Sequence, residues 1–306
     1  MALLVILLLL VIPAISAEND PLLFSFFRGN GEDGLYLAAS SDGLNWTELH
    51  GGKPLLKPDV GENKLMRDPS ITAGPDGTFH MVWTTAWQGK TLGYASSKDL
   101  IQWSVQKELK PFRDDPDVLN CWAPELFYNA PSKTYWIIWA STRKGQFPET
   151  VGTGSKDYNH RLYAIETKDF ETFTTAHLFY DPGFQVIDGA VFQTPEGTYA
   201  LIAKNEAEKP TGQKYLFLSF AKKLEGPWSK PGPAISGNRW AEGPTPVRLG
   251  EYWYIYFDLY RDHKYAAIRS KNLIGWEDVT SKLHLPEGLR HGTVFHAPQS
   301  VVDGLR

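Results

Sequence analysis

The chain has 306 residues, 31 Lys and Arg against 35 Asp and Glu for a formal net charge of −4, and 13% aromatic residues including 11 Trp. Its charges are interspersed and form no basic stripe able to neutralise a phosphate backbone, which argues against a nucleic-acid partner and against a substrate held by bulk electrostatics. The only cysteine is Cys121, so no intramolecular disulfide can form and stability must come from packing.

Residues 3–12 are an uninterrupted apolar run, too short to span a bilayer, and Pro13-Ala14-Ile15-Ser16-Ala17 supplies small residues for cleavage before Glu18. Residues 1–17 are therefore expected to be a secretory signal peptide, with a secreted or periplasmic product that is not inserted in a membrane. The remaining stretch, 18–306, is expected to be one domain, because no Pro-rich, Ser-rich or charged linker interrupts it.

Strand-like runs follow in chain order. Residues 23–28, 34–39 and the segment at Trp46 come first. Asp68 in RDPSI then heads a run at 70–73, a GPDGT turn, runs at 79–85 and 91–96, and an outer strand at Trp103. Glu125 in WAPELF heads the next set (124–128, 135–140, 161–166), and Asp188 in IDGAVF the third (187–192, 199–203, 215–220). Glu242 in AEGPTPV heads the fourth (252–257, 265–270), and His291 in RHGTVF heads a last run near the C-terminus. The turns between runs carry Gly, Pro or Asp, as hairpins require.

The five head residues recur at intervals of 57, 63, 54 and 49 residues, about one four-stranded propeller blade each. A second repeat runs out of phase: SSDGLNW, SSKDLIQW, TKDFETF, AKKLEGPW and RSKNLIGW each join a small or charged turn to an aromatic residue, expected to pack between sheets. Both repeats predict an all-β, five-bladed β-propeller. The fifth blade would be split, its inner strand from residues 291–295 and the others from the N-terminus, and that pairing removes the open edge. Residues 114–120, 143–159 and 206–214 then become loops at the ends of the ring, where specificity resides.

The first strand of each blade lines a propeller axis, so Asp68, Glu125, Asp188, Glu242 and His291 are expected to converge on one pocket. Carboxylates from blades one, three and four, without a nucleophile elbow, a Gly-rich phosphate loop or Cys/His metal spacing, suit acid–base cleavage of a glycosidic bond. One group protonates the leaving oxygen, another deprotonates water, and a third negative neighbour keeps the acid protonated near neutral pH. Cys121, beside Trp122 and without matched His and Asn partners, reads as a packing residue.

The motifs RDPSI, WAPE, IDG and EGP, four in order at blade spacing, resemble those of glycoside hydrolase family 43, over about residues 24 to 300. The resemblance implies a five-bladed propeller acting mainly as an α-L-arabinofuranosidase, β-xylosidase or endo-arabinanase, with inversion at the anomeric carbon. It implies Asp68 as general base, Glu242 as general acid and Asp188 as the residue that tunes and orients the acid. It also implies that His291 is an axial histidine associated with a calcium ion or an ordered water, with no cofactor required. Substrate contacts are expected from Trp87 and Trp122 as an apolar wall under the sugar ring, and from Glu125, Arg161 and His291. His160, next to Arg161, could equally brace a loop.

Arg67 departs from the Ala that many xylosidases of the family carry, and its RDP triplet also occurs in retaining fructan-cleaving propellers. Those enzymes also need a Glu-Cys motif, which this chain lacks. The expectation is an exo-acting α-L-arabinofuranosidase, monomeric, on oligo- or polysaccharide. A β-xylosidase is the alternative within the family, and a non-catalytic glycan-binding propeller the alternative from another class.

Overall fold

The computed structural model describes residues 20–113 and 115–306. The expected signal peptide, residues 1–17, lies outside the described residues. The elements in chain order are β1 (Leu22–Phe26), β2 (Tyr36–Ser40) and β3 (Thr47–Glu48), then β4 (Arg67–Ala73), β5 (Phe79–Thr84), β6 (Leu92–Ser97) and β7 (Lys107–Leu109). They continue with β8 (Trp122–Asn129), β9 (Thr134–Ser141), β10 (Arg161–Thr167) and β11 (His177–Tyr180), then β12 (Val186–Gln193), β13 (Tyr199–Asn205) and β14 (Leu216–Ala221). The last set is β15 (Glu242–Leu249), β16 (Tyr252–Leu259), β17 (Lys264–Ser270), β18 (Glu277–Asp278) and β19 (Val294–His296), followed by the short helix α1 (Gln299–Gly304).

These strands form five antiparallel sheets, ordered β4-β5-β6-β7, β8-β9-β10-β11, β12-β13-β14, β15-β16-β17-β18 and β19-β1-β2-β3. The chain is an all-β, five-bladed propeller. In the fifth blade β1 pairs with β19, Leu22 opposite His296 and Phe24 opposite Val294, so the two ends of the chain close the ring as the sequence predicts. Trp103 does not lie in an outer strand: it makes a single bridge to Ser97, and the outer strand of the first blade, β7, begins four residues later at Lys107.

The core is divided by blade seams. One buried cluster joins Leu37 of the fifth blade to Met81 and Trp83 of the first; others join Tyr94 to Ile137, Trp136 to Phe217, Leu218 to Ile255, and Tyr256 to Phe24. Aromatic residues of the second repeat work at these seams. Trp46 meets Tyr256 at 5.6 Å and Trp228 meets Phe179 at 5.5 Å, each across two blades.

In three of the five turns before these aromatics the chemical cause is the same. The hydroxyls of Ser40, Ser97 and Thr167 accept the backbone N–H of Gly43, Leu100 and Phe170 at 2.8–2.9 Å, while Asp42, Asp99 and Asp169 accept from the next residues. Ser/Thr-x-Asp thus satisfies the donors that the turn would orphan.

Candidate active site

The innermost strand of each of the first four blades breaks its ladder at the same place. Pairing skips from Arg67 to Ser70, Trp122 to Glu125, Ile187 to Ala190 and Glu242 to Thr245. The second residue of each bulge has positive φ: Asp68 (52°), Ala123 (47°), Asp188 (52°) and Gly243 (58°). Such backbone costs about 1–3 kcal/mol for a non-glycine residue and re-aims a side chain. Asp tolerates it better than most, and here it turns two carboxylates out of the sheet toward the axis.

This register corrects the phase read from the motifs. Asp68 and Asp188 are equivalent; Glu242 stands one position before the bulge residue and Glu125 two after it. The consequence is visible in the cavities. Asp68, Asp188, Glu242 and His291 line one cavity of about 230 Å³ together with Trp87 and Trp122. Glu125 does not line it; it shares with Asp68, Asp188 and His291 an adjoining void of about 10 Å³ beside Ser70 and Thr293, too small for a sugar ring. Size alone does not find the site: the cavities of about 570 and 530 Å³ contain none of the axial carboxylates.

Asp68 Oδ2 accepts the Thr84 hydroxyl at 2.8 Å, and its Oδ1 pairs with His291 Nδ1 at 3.2 Å. Burial opposes charge on Asp68, but the hydrogen bond and charge of His291, with Arg67 and Thr84, hold its carboxyl below the ordinary range. Burial works against His291 as well and is outweighed by Asp68, Asp188 and Glu242, which carry the imidazole up to about 9. At neutral pH the pair is carboxylate and imidazolium.

Asp188 Oδ2 accepts the backbone N–H of Gly243 at 2.9 Å. Burial lifts it to about 6; His291 and Lys204 pull it down, while Glu242 and Asp68 add to the rise. Two carboxyls of the same bulge position are therefore driven in opposite directions, the pattern expected where one group accepts and another holds a proton.

Glu242 sits in a row of alternating charge. Its Oε2 meets Lys204 at 3.0 Å and its Oε1 meets Arg290 at 3.6 Å. Lys204 also contacts Glu206 at 2.9 Å, Glu206 reaches Lys214 at 2.5 Å, and Arg290 is anchored on Asp258 at 2.6 Å. Burial disfavours the Lys204 ammonium, yet Glu242, Glu206 and Asp188 keep it firmly charged. Thr84, Lys204 and Asp258 lie outside the motifs yet at equivalent places: Thr84 opposes Arg67, Lys204 opposes Ile187 and Asp258 opposes Glu242 on the second strand. A polar residue closing an apolar strand (FHMVWT, YALIAKN, YWYIYFDL) is the signal that would have found them.

One expected contact is corrected. Arg161 is 0% exposed and does not line the cavity. Its Nε binds Asp181 at 2.5 Å, one terminal nitrogen the His160 carbonyl at 2.9 Å, and the other the Thr150 hydroxyl at 2.9 Å, so it secures the 143–159 loop instead of a sugar. His291 turns its Nδ1 to Asp68 at 3.2 Å, which leaves Nε2 as the ring nitrogen able to face a water or an ion. Among the described residues no group of three His, Cys, Asp or Glu side chains could hold a metal ion. Cys121 is a buried free thiol, pushed up to about 12 by burial, in keeping with a packing role.

Two substitutions test this architecture. An added Cβ at Gly243 would stand 2.4 Å from His291 Cγ, so Gly243→Ala should destabilise the fold by about 1–3 kcal/mol in denaturant unfolding; an unchanged midpoint would contradict the close approach. Burial raises Glu125 from 4.5 to about 7 against the pull of Ser70 and His291. A raised acid contributes stability below pH 4.5 that is lost as pH climbs through 7, here on the order of 3 kcal/mol at most. Glu125→Gln should therefore gain stability over the wild type between pH 5 and 8 in urea, and a pH-independent difference would refute that origin.

Residues 20–301 match the family model for a probable glycosyl hydrolase domain, related to family 43. An α-L-arabinofuranosidase of Bifidobacterium longum subsp. longum is 28% identical over 78% of this chain and 25% of its own length. An extracellular exo-inulinase of Aspergillus niger is 27% identical over 44% of this chain and 25% of its own length. This chain thus spans about a quarter of the length of the curated relatives it matches. The crystal structure of an α-L-arabinofuranosidase from Lactobacillus brevis superposes with a TM-score of 0.53 at 18% identity, over 70% of this chain and 72% of the other. A thermostable family-43 glycoside hydrolase superposes at 0.52 with 14% identity, over 70% and 71%, and at such identities the likeness is one of fold. With the family match running through every blade, this chain belongs to the family-43-related glycosyl hydrolases.

Proposed function

We propose that the protein hydrolyses glycosidic bonds with inversion, as an exo-acting α-L-arabinofuranosidase working as a monomer outside the cytoplasm on oligo- or polysaccharide. The observation that carries this reading is the cavity of about 230 Å³ on which carboxylates of three blades converge, with Asp68 held as an anion and Asp188 lifted to about 6.

In this reading the reacting sugar lies in that cavity against Trp87 and Trp122. Asp68, oriented by Thr84 and His291, takes a proton from the water that attacks the anomeric carbon. Glu242 gives a proton to the departing glycosidic oxygen, and Asp188, negative once ionised, tunes and orients that acid. Lys204 and Arg290 hold the Glu242 carboxyl at the cavity wall and neutralise it after proton transfer. Inversion requires room for water between base and sugar, with the two carboxyls roughly 6.5–9.5 Å apart.

The relative described as an α-L-arabinofuranosidase supports arabinose as the sugar released; a β-xylosidase is the alternative. A binding-only propeller is the second reading, favoured by one observation: both oxygens of Glu242 are already engaged by cations. The deciding experiment is turnover of 4-nitrophenyl α-L-arabinofuranoside and β-D-xyloside, with a product profile on arabinan, arabinoxylan and xylan. NMR of the first-formed sugar should show the inverted anomer. Retention would overturn the mechanism, and oligosaccharide binding without turnover would select the binding-only reading.

A further inference from the structure

Lys204 is a difficult neighbour for a general acid. Its side chain is 3% exposed and its ammonium meets Glu242 Oε2 at 3.0 Å, and a buried cation at that distance favours the ionised carboxyl. The contact suits Glu242 once its proton has been given up, but an acid must hold that proton until the bond breaks. A second anion that shares Lys204 relieves the conflict.

Glu206 is placed to be that anion. It follows β13 directly at the start of the 206–214 loop, lines the catalytic cavity with Lys204 and Glu242, and meets the Lys204 ammonium at 2.9 Å. The Tyr260 ring centre lies 4.6 Å from the same nitrogen, so the ammonium is divided between two carboxylates and one aromatic face. Glu206 is not itself suited to proton transfer. Its other oxygen meets Lys214 at 2.5 Å; burial opposes its charge, but Lys204 and Lys214 hold its carboxyl below the ordinary range. It stays ionised, and its reach toward the reaction is through Lys204.

Lys214 reverses the sign once more. Arg290, Glu242, Lys204, Glu206 and Lys214 form a row that alternates in charge, and buried charges are screened less than exposed ones, so an effect passes beyond direct contacts. The row is also tied down next to the acid. The Lys214 carbonyl accepts the Ala241 N–H at 2.9 Å, and its ammonium lies 5.9 Å from the Trp240 ring centre.

The other groups around Glu242 belong to other elements. Asp258 opposes it on β16, Asp188 and Asp68 share its cavity from β12 and β4, and Arg290 and His291 approach from the segment before β19. The phenols of Tyr260 and Tyr265, both pushed up by burial, complete the surroundings as neutral groups. None of them contacts Lys204 as a second carboxylate, which leaves that part to Glu206.

We infer that Glu206 is a positioning residue for catalysis: by sharing the Lys204 ammonium it lets Glu242 keep its proton to higher pH than an undivided Lys204–Glu242 pair would allow. The inference rests on the hydrolase reading with Glu242 as its acid.

The test makes two measurements on the wild type, Glu206→Gln, Glu206→Asp and Lys214→Met. One is the pH profile of kcat/KM on an arabino- or xylo-oligosaccharide. The other is the NMR titration of the Glu242 carboxyl in protein carrying isotope-labelled glutamate, with the signal identified by its loss in Glu242→Gln. Removing the negative charge of Glu206 should move the alkaline limb and the Glu242 midpoint down by about half to one unit. Removing the positive charge of Lys214 should move both up, and Glu206→Asp, which keeps the charge, should lie closer to the wild type than Glu206→Gln does. A merely structural role would not give opposite signs. Should Glu206→Gln fail to fold, the direction in Lys214→Met decides. Midpoints that do not move, or that move the same way in the Gln and Met variants, would overturn the inference. Failure of the hydrolase reading is distinguishable: a wild type without turnover whose Glu242 titration still shifts in these directions would remove the catalysis and leave the coupling, whereas turnover with an unmoved titration would do the reverse.

Discussion

Asp68→Asn should lower kcat by roughly 10²- to 10⁴-fold while leaving a folded propeller, because the amide cannot accept the proton of the attacking water. Asn also tolerates positive φ, so the bulge at 52° need not rearrange, and its side chain can still meet Thr84. What changes is the charge beside His291. That imidazole is held at about 9 chiefly by the hydrogen bond and charge of Asp68, acting against burial. In the variant its NMR titration should move several tenths of a unit or more toward 6.5. The sign follows for stability. A raised histidine contributes fully below pH 6.5 and loses its contribution as pH rises through about 9; a lowered aspartate contributes above 3.8 and loses its contribution in acid. The wild type should therefore exceed the variant in stability most between about pH 4 and 6.5. Near-native turnover by folded Asp68→Asn, or a His291 titration that does not move, would refute the base assignment or the ion pair respectively.

Glu242→Gln and Asp188→Asn should fail in different ways, and the difference separates the two acidic roles. If Glu242 protonates the leaving group, Glu242→Gln should cut turnover of natural oligosaccharides by roughly 10²- to 10⁴-fold and spare activated aryl glycosides, whose departure needs little protonation. The fold should survive, since Lys204 keeps Glu206 and Arg290 keeps Asp258. Asp188→Asn retains an acceptor for the Gly243 N–H but removes the negative neighbour of the acid. Its alkaline limb in kcat/KM should move to lower pH, with some turnover persisting in acid. An unmoved limb, or equal losses on aryl and natural substrates in Glu242→Gln, would show that the roles are exchanged or absent.

Much of this was legible in the sequence because a propeller repeats its chemistry at blade intervals. The heads RDPSI, WAPE, IDG and EGP mark bulged inner strands, and SSDGLNW, SSKDLIQW and TKDFETF mark turns whose hydroxyls and carboxylates cap the backbone. Both are local signals, set by residues within a few positions of one another, so one chain suffices to read the five blades and the closure of β1 on β19. The gathering of Asp68, Asp188, Glu242, His291, Trp87 and Trp122 at the axis follows from that repeat.

Tertiary structure decided whatever depended on register and on partners far along the chain. A motif aligned by eye treats Glu125 and Glu242 as equivalent to Asp68; the register sets Glu242 one residue before the bulge position, in the cavity, and Glu125 two after it, in an adjoining void that also touches Asp68, Asp188 and His291. Arg161 read as a sugar ligand because a cation near the motifs could reach the pocket, but Asp181 and Thr150, distant in sequence, claim its nitrogens. His291 gives no hint in sequence that its Nδ1 meets Asp68, 223 positions away. Lys204 and Arg290 give no motif signal, yet they meet Glu242 because cross-strand pairing and ring closure bring them there. Strand periodicity and turn chemistry are properties of neighbouring residues, whereas the charge state and reach of a buried side chain are set by whatever the closed ring packs against it.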